Sequence, residues 1–97
     1  MTIRSELSSA RARVWIKDSP DFFYAGHVYM IHEITFYYLL SDGEWSVLCV
    51  ELELSHGEQG MLEVMFALSD PALPGWAREL ADVYVPRYEC SGFEIDE

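Results

Sequence analysis

Positive charge is what this chain has least of. Six of its 97 residues are Lys or Arg, against 17 Asp and Glu, and the formal net charge is −11. Four of the bases, Arg4, Arg11, Arg13 and Lys17, lie in the first seventeen residues, where Glu6 is the sole acid. From residue 18 onward there are 2 bases and 16 acids, a balance of −14. Binding to phosphate backbones needs clustered Lys and Arg, so direct nucleic-acid binding by that region is not expected. A basic protein partner is the natural complement, since opposite fields speed encounter and select partners. Solubility alone is the plainer reading of the same charge.

Cysteine is nearly missing. Cys49 and Cys90 are too few and too far apart for a disulfide scaffold or a CxxC metal knuckle. Both are expected as reduced thiols, with a single Cys49–Cys90 bridge left open. Long apolar runs are missing as well. None approaches the ~18 residues of a membrane span, and the N-terminus MTIRSELSSARAR lacks the apolar segment of a signal peptide. The expectation is a cytoplasmic chain with no membrane contact. There is no GxGxxG, phosphate loop or DxDxDG loop. No Ser-His-Asp or Cys-His pairing can be built from spacing alone. The chain therefore reads as non-enzymatic, with no catalytic residue, cofactor or metal to assign.

What remains is ample apolar material. Apolar residues make up 51% of the chain and aromatics 14%, enough for the one modest core that a domain of this size can bury. No repeat or linker divides residues 1–97. Residues 3–10 are expected as a short helix capped by Thr2, weakened by Ser8 and Ser9. Residues 11–17 alternate Ala12, Val14 and Ile16 with Arg13, Trp15 and Lys17, and so form a strand. A turn at 18–21 leads through Phe22, Phe23, Tyr24 and Gly26 into a long strand, 27–40. Strands over 45–54 and 61–69 follow. Pro74 opens a helix with Trp76, Leu80, Val83 and Tyr84 on one stripe, ending before Pro86. The expected architecture is α+β: an antiparallel meander of three to four strands packed against a C-terminal helix.

Even positions are mainly apolar in both 27–40 and 45–54, so they should share a face. A two-residue Asp42-Gly43 turn pairs even with odd, whereas a three-residue loop, Ser41-Asp42-Gly43, pairs even with even. A one-residue slip inverts a strand's faces, and the pattern therefore selects the longer loop. Glu33 then lies opposite Glu51, and Glu53 opposite Glu63. His32 falls on the apolar even face as a buried histidine, and His27 and His56 lie at strand or loop edges. Like charges directly opposite destabilise a sheet by a few tenths to about 1 kcal/mol per pair.

Three readings of this carboxylate cluster compete. It can be a solvated outer face, a binding patch for Arg and Lys of a basic partner, or a metal or catalytic site. The last lacks a histidine on the same face. Asp18, Asp21, Glu44 and Glu58 can extend the field from loops. Tyr29, Ile31, Tyr37, Leu39, Trp45 and Val47 fall on the same odd face. That is too apolar for open water, and it implies either a covering element or an interface.

In size and charge the profile resembles small acidic inhibitors. These are immunity proteins that neutralise a toxin, or phage-encoded anti-defence proteins that occupy a nucleic-acid-binding surface. The resemblance implies a monomer or weak homodimer that docks on a basic, nucleic-acid-handling protein and inhibits it, as a nucleic-acid mimic would. Glu33, Glu51, Glu53 and Glu63 supply the charge, and Tyr37 and Trp45 the contact area. The competing expectation is an accessory or structural subunit that oligomerises through its sheet.

Overall fold

The computed structural model describes residues 1–8, 10–56 and 60–85, and residues 93–96 by backbone alone. Seven strands and one helix follow in chain order: β1 (Thr2–Ser8), β2 (Arg11–Lys17), β3 (Phe22–Tyr24), β4 (His27–Ser41), β5 (Glu44–Ser55), β6 (Met61–Phe66), α1 (Gly75–Val83) and β7 (Phe93–Asp96). Six strands form one antiparallel sheet in the order β6-β5-β4-β2-β1-β7. The short β3 pairs with the start of β4 outside this path. The expected meander β4-β5-β6 and the C-terminal helix are present, and the sheet is wider than expected.

The N-terminal segment is a strand, not a helix, and it widens the sheet instead of covering it. Ile3, Leu7 and Ala10 suit a helical stripe, while Ile3 and Leu7 alone suit a strand face as well. Ser5 hides the period-two pattern because a polar residue occupies a fully buried position. Pairing with β2 decides the matter: Ile3, Ser5 and Leu7 turn inward beside Ile16, Val14 and Ala12. Tertiary pairing overrides a weak local preference.

The turn between β4 and β5 is the two-residue Asp42-Gly43 reversal, with Ser41 opposite Glu44. Both residues have positive φ, 52° and 79°, as the hairpin turn with the natural strand twist requires. Asp tolerates that conformation and Gly adopts it freely. The three-residue loop expected from the pattern is therefore absent. Even-with-even pairing is reached by a β-bulge. Tyr38 pairs with Val47 and Tyr37 with Cys49, which leaves Leu48 as an extra residue on β5. A second bulge leaves His32 extra on β4, between Ile31↔Leu54 and Glu33↔Glu53. A bulge inserts one residue and inverts the alternation beyond it. Ile31, Trp45 and Val47 thereby join the core side, along with Tyr29. His32 is exposed, not buried, with Nε2 2.8 Å from Ser55 Oγ.

The core lies between the sheet and α1. Val14, Ile34, Phe36, Val50, Leu52 and Leu54 are fully enclosed. Phe22 and Tyr24 of β3 close one end, both edge-on to Phe66 at 6.3 and 5.7 Å. The buried stripe of the helix segment runs through Leu73, Ala77, Ala81 and Tyr84, with Trp76 and Leu80 at its border and Val83 in solvent. Of the expected stripe only Tyr84 is fully buried, and Ala77 and Ala81 take its centre because small residues let helix and sheet backbones approach. Pro74 stands just before the helix as its N-cap. Tyr38 Oη donates to the Ala81 carbonyl at 2.7 Å, tying sheet to helix, and burial pushes its phenol well above the usual range. Arg78, expected on the free side of the helix, donates to the carbonyls of Leu68 and Asp70 at 2.9 and 2.8 Å and fixes the loop before α1. No helix among the described residues is long and apolar enough to cross a membrane.

Candidate protein-binding face

The outer sheet face is the one turned away from α1, and no element covers it among the described residues. Alternation fixes its membership: wherever a strand buries its aliphatic row, the intervening residues point outward. From β4, β5 and β6 come Glu33, Glu51, Glu53 and Glu63, with Tyr37 and Cys49. From β1 and β2 come Arg4, Arg11, Arg13, Trp15 and Lys17, with Glu6. Cys49 is a free thiol. Cys90 and Glu58 lie outside the described residues.

Three carboxylates form one row across neighbouring strands: Glu33 opposite Glu53, and Glu53 opposite Glu63. The second pairing is the expected one. The first differs from the expected Glu33–Glu51 pairing because the two-residue turn and the Leu48 bulge each move β5 one residue along β4. Glu51 instead faces Thr35 and Met65, and it accepts a 3.2 Å hydrogen bond from Tyr37 Oη. Burial first, then the nearby Glu51 charge, raises the Tyr37 phenol above its usual range. Trp45, expected beside these acids, lies on the core side of the sheet.

β2 answers the first carboxylate of the row. Arg13 grips Glu33 Oε1 with two donors, Nη2 at 2.7 Å and Nε at 3.0 Å. The hydrogen bond to Glu33 raises the already high guanidinium pKa further, against an opposing desolvation. Arg13 and Arg4 both lie over the Trp15 ring, 4.9 and 4.7 Å from its centre, within the range of cation–π attraction. Glu53 has no such partner: the Arg13–Glu33 contact is the one ion pair among the described residues. Desolvation, then the charges of Glu33 and Glu63, hold the Glu53 carboxyl above its ordinary pKa. Beside it lies an open depression of about 490 Å³, bordered by Arg4, Trp15 and Lys17 on one side and by His32, Glu33 and Glu53 on the other.

The structure thus brings Glu33, Glu51, Glu53, Glu63 and Tyr37 to one face and leaves Trp45 on the other. Sequence reasoning missed the basic neighbours of this patch. The Arg13-Trp15-Lys17 face of β2 was legible, but β3 intervenes in the chain before β4, so the adjacency of β2 and β4 was not. No group of three His, Cys, Asp or Glu side chains among the described residues is placed to hold a metal ion. No family model matches this chain, and no curated protein or solved structure matches it significantly.

Proposed function

We propose that this chain is a non-enzymatic binding protein. The acidic half of its outer sheet face docks on a basic, nucleic-acid-handling protein and blocks it. The observation that carries this reading is the Glu33–Glu53–Glu63 row, of which only Glu33 meets a cation of its own chain within ion-pair distance among the described residues. The row costs the sheet up to about 1 kcal/mol per facing pair. An incoming guanidinium removes that cost and adds bidentate, charge-assisted hydrogen bonds. Glu51, Glu53 and Glu63 carry the attraction, since Arg13 already occupies Glu33. Tyr37 supplies contact area at the margin. A rigid sheet also keeps carboxylates at fixed spacing, as a stand-in for phosphates must.

The test begins with the basic proteins that the immobilised chain retains from its own source cells. The strongest is purified. Its affinity is then compared for the wild-type chain and for Glu53→Lys/Glu63→Lys at low and high salt. The expected result is a loss of at least about tenfold at low salt that shrinks as salt screens the charges. The partner's nucleic-acid binding should fall when the wild-type chain is added. Equal affinity for both forms ends this reading.

A further inference from the structure

β6 is an edge strand without the usual guards. It closes the sheet on the acidic side, and β5 is the one strand beside it among the described residues. Every second backbone N–H and C=O along it therefore points away from the sheet. Natural edges are blunted by proline, lysine, a bulge or an inward charge. Met61–Phe66, MLEVMF, has no proline and no lysine, pairs with β5 in unbroken register, and turns its one charge, Glu63, outward. A short apolar segment of this kind templates another strand.

Its side chains are incompletely covered on both faces. On the core side Leu62 lies opposite Leu54, and Val64 opposite Leu52. The two β5 residues have no solvent exposure, yet Leu62 is 41% exposed and Val64 is only partly buried. One more strand would carry the core across them. On the outer side Met61 and Met65, 54% and 55% exposed, flank Glu63. Glu53 and Glu51 stand one strand inward from them.

We infer that β6 accepts, as an added strand, an extended segment of the basic partner in which aliphatic residues alternate with arginine or lysine; this rests on the binding role proposed above and names the part of the partner that is bound. Backbone pairing satisfies the open edge. The aliphatic residues turn to the core side, over Leu62 and Val64. The cations turn to the outer side, with Glu63 beside them and Glu53 one strand further. The period of two along a strand places both sets without rearranging the chain that receives them. A second copy of β6 fits the edge less well. It brings Glu63 and no base, with Glu51 and Glu53 behind it, so the seam would gather like charges.

The probe is an acetylated and amidated peptide of about eight residues, a common strand length, that alternates Val with Arg. A counterpart alternating Val with Glu is the control. The full chain is titrated with each while backbone amide exchange is followed by NMR. The Val/Arg peptide should bind, and the alternate β6 amides that face away from β5 should gain at least about tenfold protection. Glu63→Lys should weaken that peptide about fivefold and strengthen the Val/Glu peptide. Peptide binding that leaves β6 exchange unchanged overturns the inference while the acidic face still stands as a docking surface. No binding at about 1 mM peptide overturns it too. Equal protection by both peptides, unmoved by Glu63→Lys, rules out a basic occupant. Protection of β6 in the free chain that grows with chain concentration puts a second copy on the edge instead.

Discussion

The two faces of the sheet obey different rules. On the core face, Ile34, Phe36, Val50 and Leu52 have no solvent exposure, and each is held by the apolar area it removes from water. On the outer face, Glu33, Glu53 and Glu63 stand side by side although they repel. Nothing draws the glutamates together. They are neighbours because the aliphatic residues between them had to turn inward, and a strand has only two sides. The core face is therefore selected directly and the outer face arises as its complement. A costly charge arrangement can persist there at a small expense beside the core's gain.

Breaking the core side should have the largest effect. Leu52→Ala empties space behind a fully buried position and should lower unfolding free energy by about 2–5 kcal/mol in urea titrations. If the loss is below about 1 kcal/mol, the contrast between the faces is wrong. Cutting the seam between basic and acidic halves comes next. Arg13→Ala removes two donors from a part-buried carboxylate and a cation from Trp15. It should cost about 1–2 kcal/mol, discounted for the partial exposure of the arginine. In a double-mutant cycle with Glu33→Gln, a coupling indistinguishable from zero would show the pair to be incidental.

The smallest effect belongs to the outer face and has the opposite sign. Glu53→Gln removes a charge from between two others and should stabilise the chain at neutral pH by a few tenths to about 1 kcal/mol. The pH dependence gives the sharper signature. A carboxyl held above its ordinary pKa favours folding most when protonated. That contribution is present below the ordinary carboxyl range and is lost as pH rises through the folded value. The advantage of Glu53→Gln over wild type should thus vanish on acidification from neutral toward the carboxyl range. A gain that is constant across that range would point to packing instead of charge.

Much of the core side was legible because aliphatic alternation in β2, β4, β5 and β6 is strong. The β5–β6 register followed from the same alternation. The β4–β5 register did not, although its parity did. Pattern alone counts which residues share a face and says nothing of how an odd residue is absorbed. Here the bulge at Leu48 absorbs it, while the turn keeps the favoured two-residue form and a separate bulge at His32 turns Ile31 inward. That substitution displaced Trp45 from the proposed patch and put Glu53 opposite Glu33. The N-terminal strand was hidden by the buried Ser5, whose polarity masks an inward position. Arg13 and Trp15 were visible as a strand face, but β3 separates β2 from β4 in the chain. Their nearness to the glutamates is a property of topology, which local spacing does not encode.

The surplus residue at position 48 also shapes how this chain can change over time. Loss of its codon would leave Val47 and Cys49 adjacent and still opposite Tyr38 and Tyr37, so the ladder would close without a bulge. Trp45, Val47 and Val50 would keep the core side and the carboxylates the outer one. Leu48 is 63% exposed, so amino-acid replacements there are cheap as well. The site should accept almost any side chain and even a frame-preserving deletion.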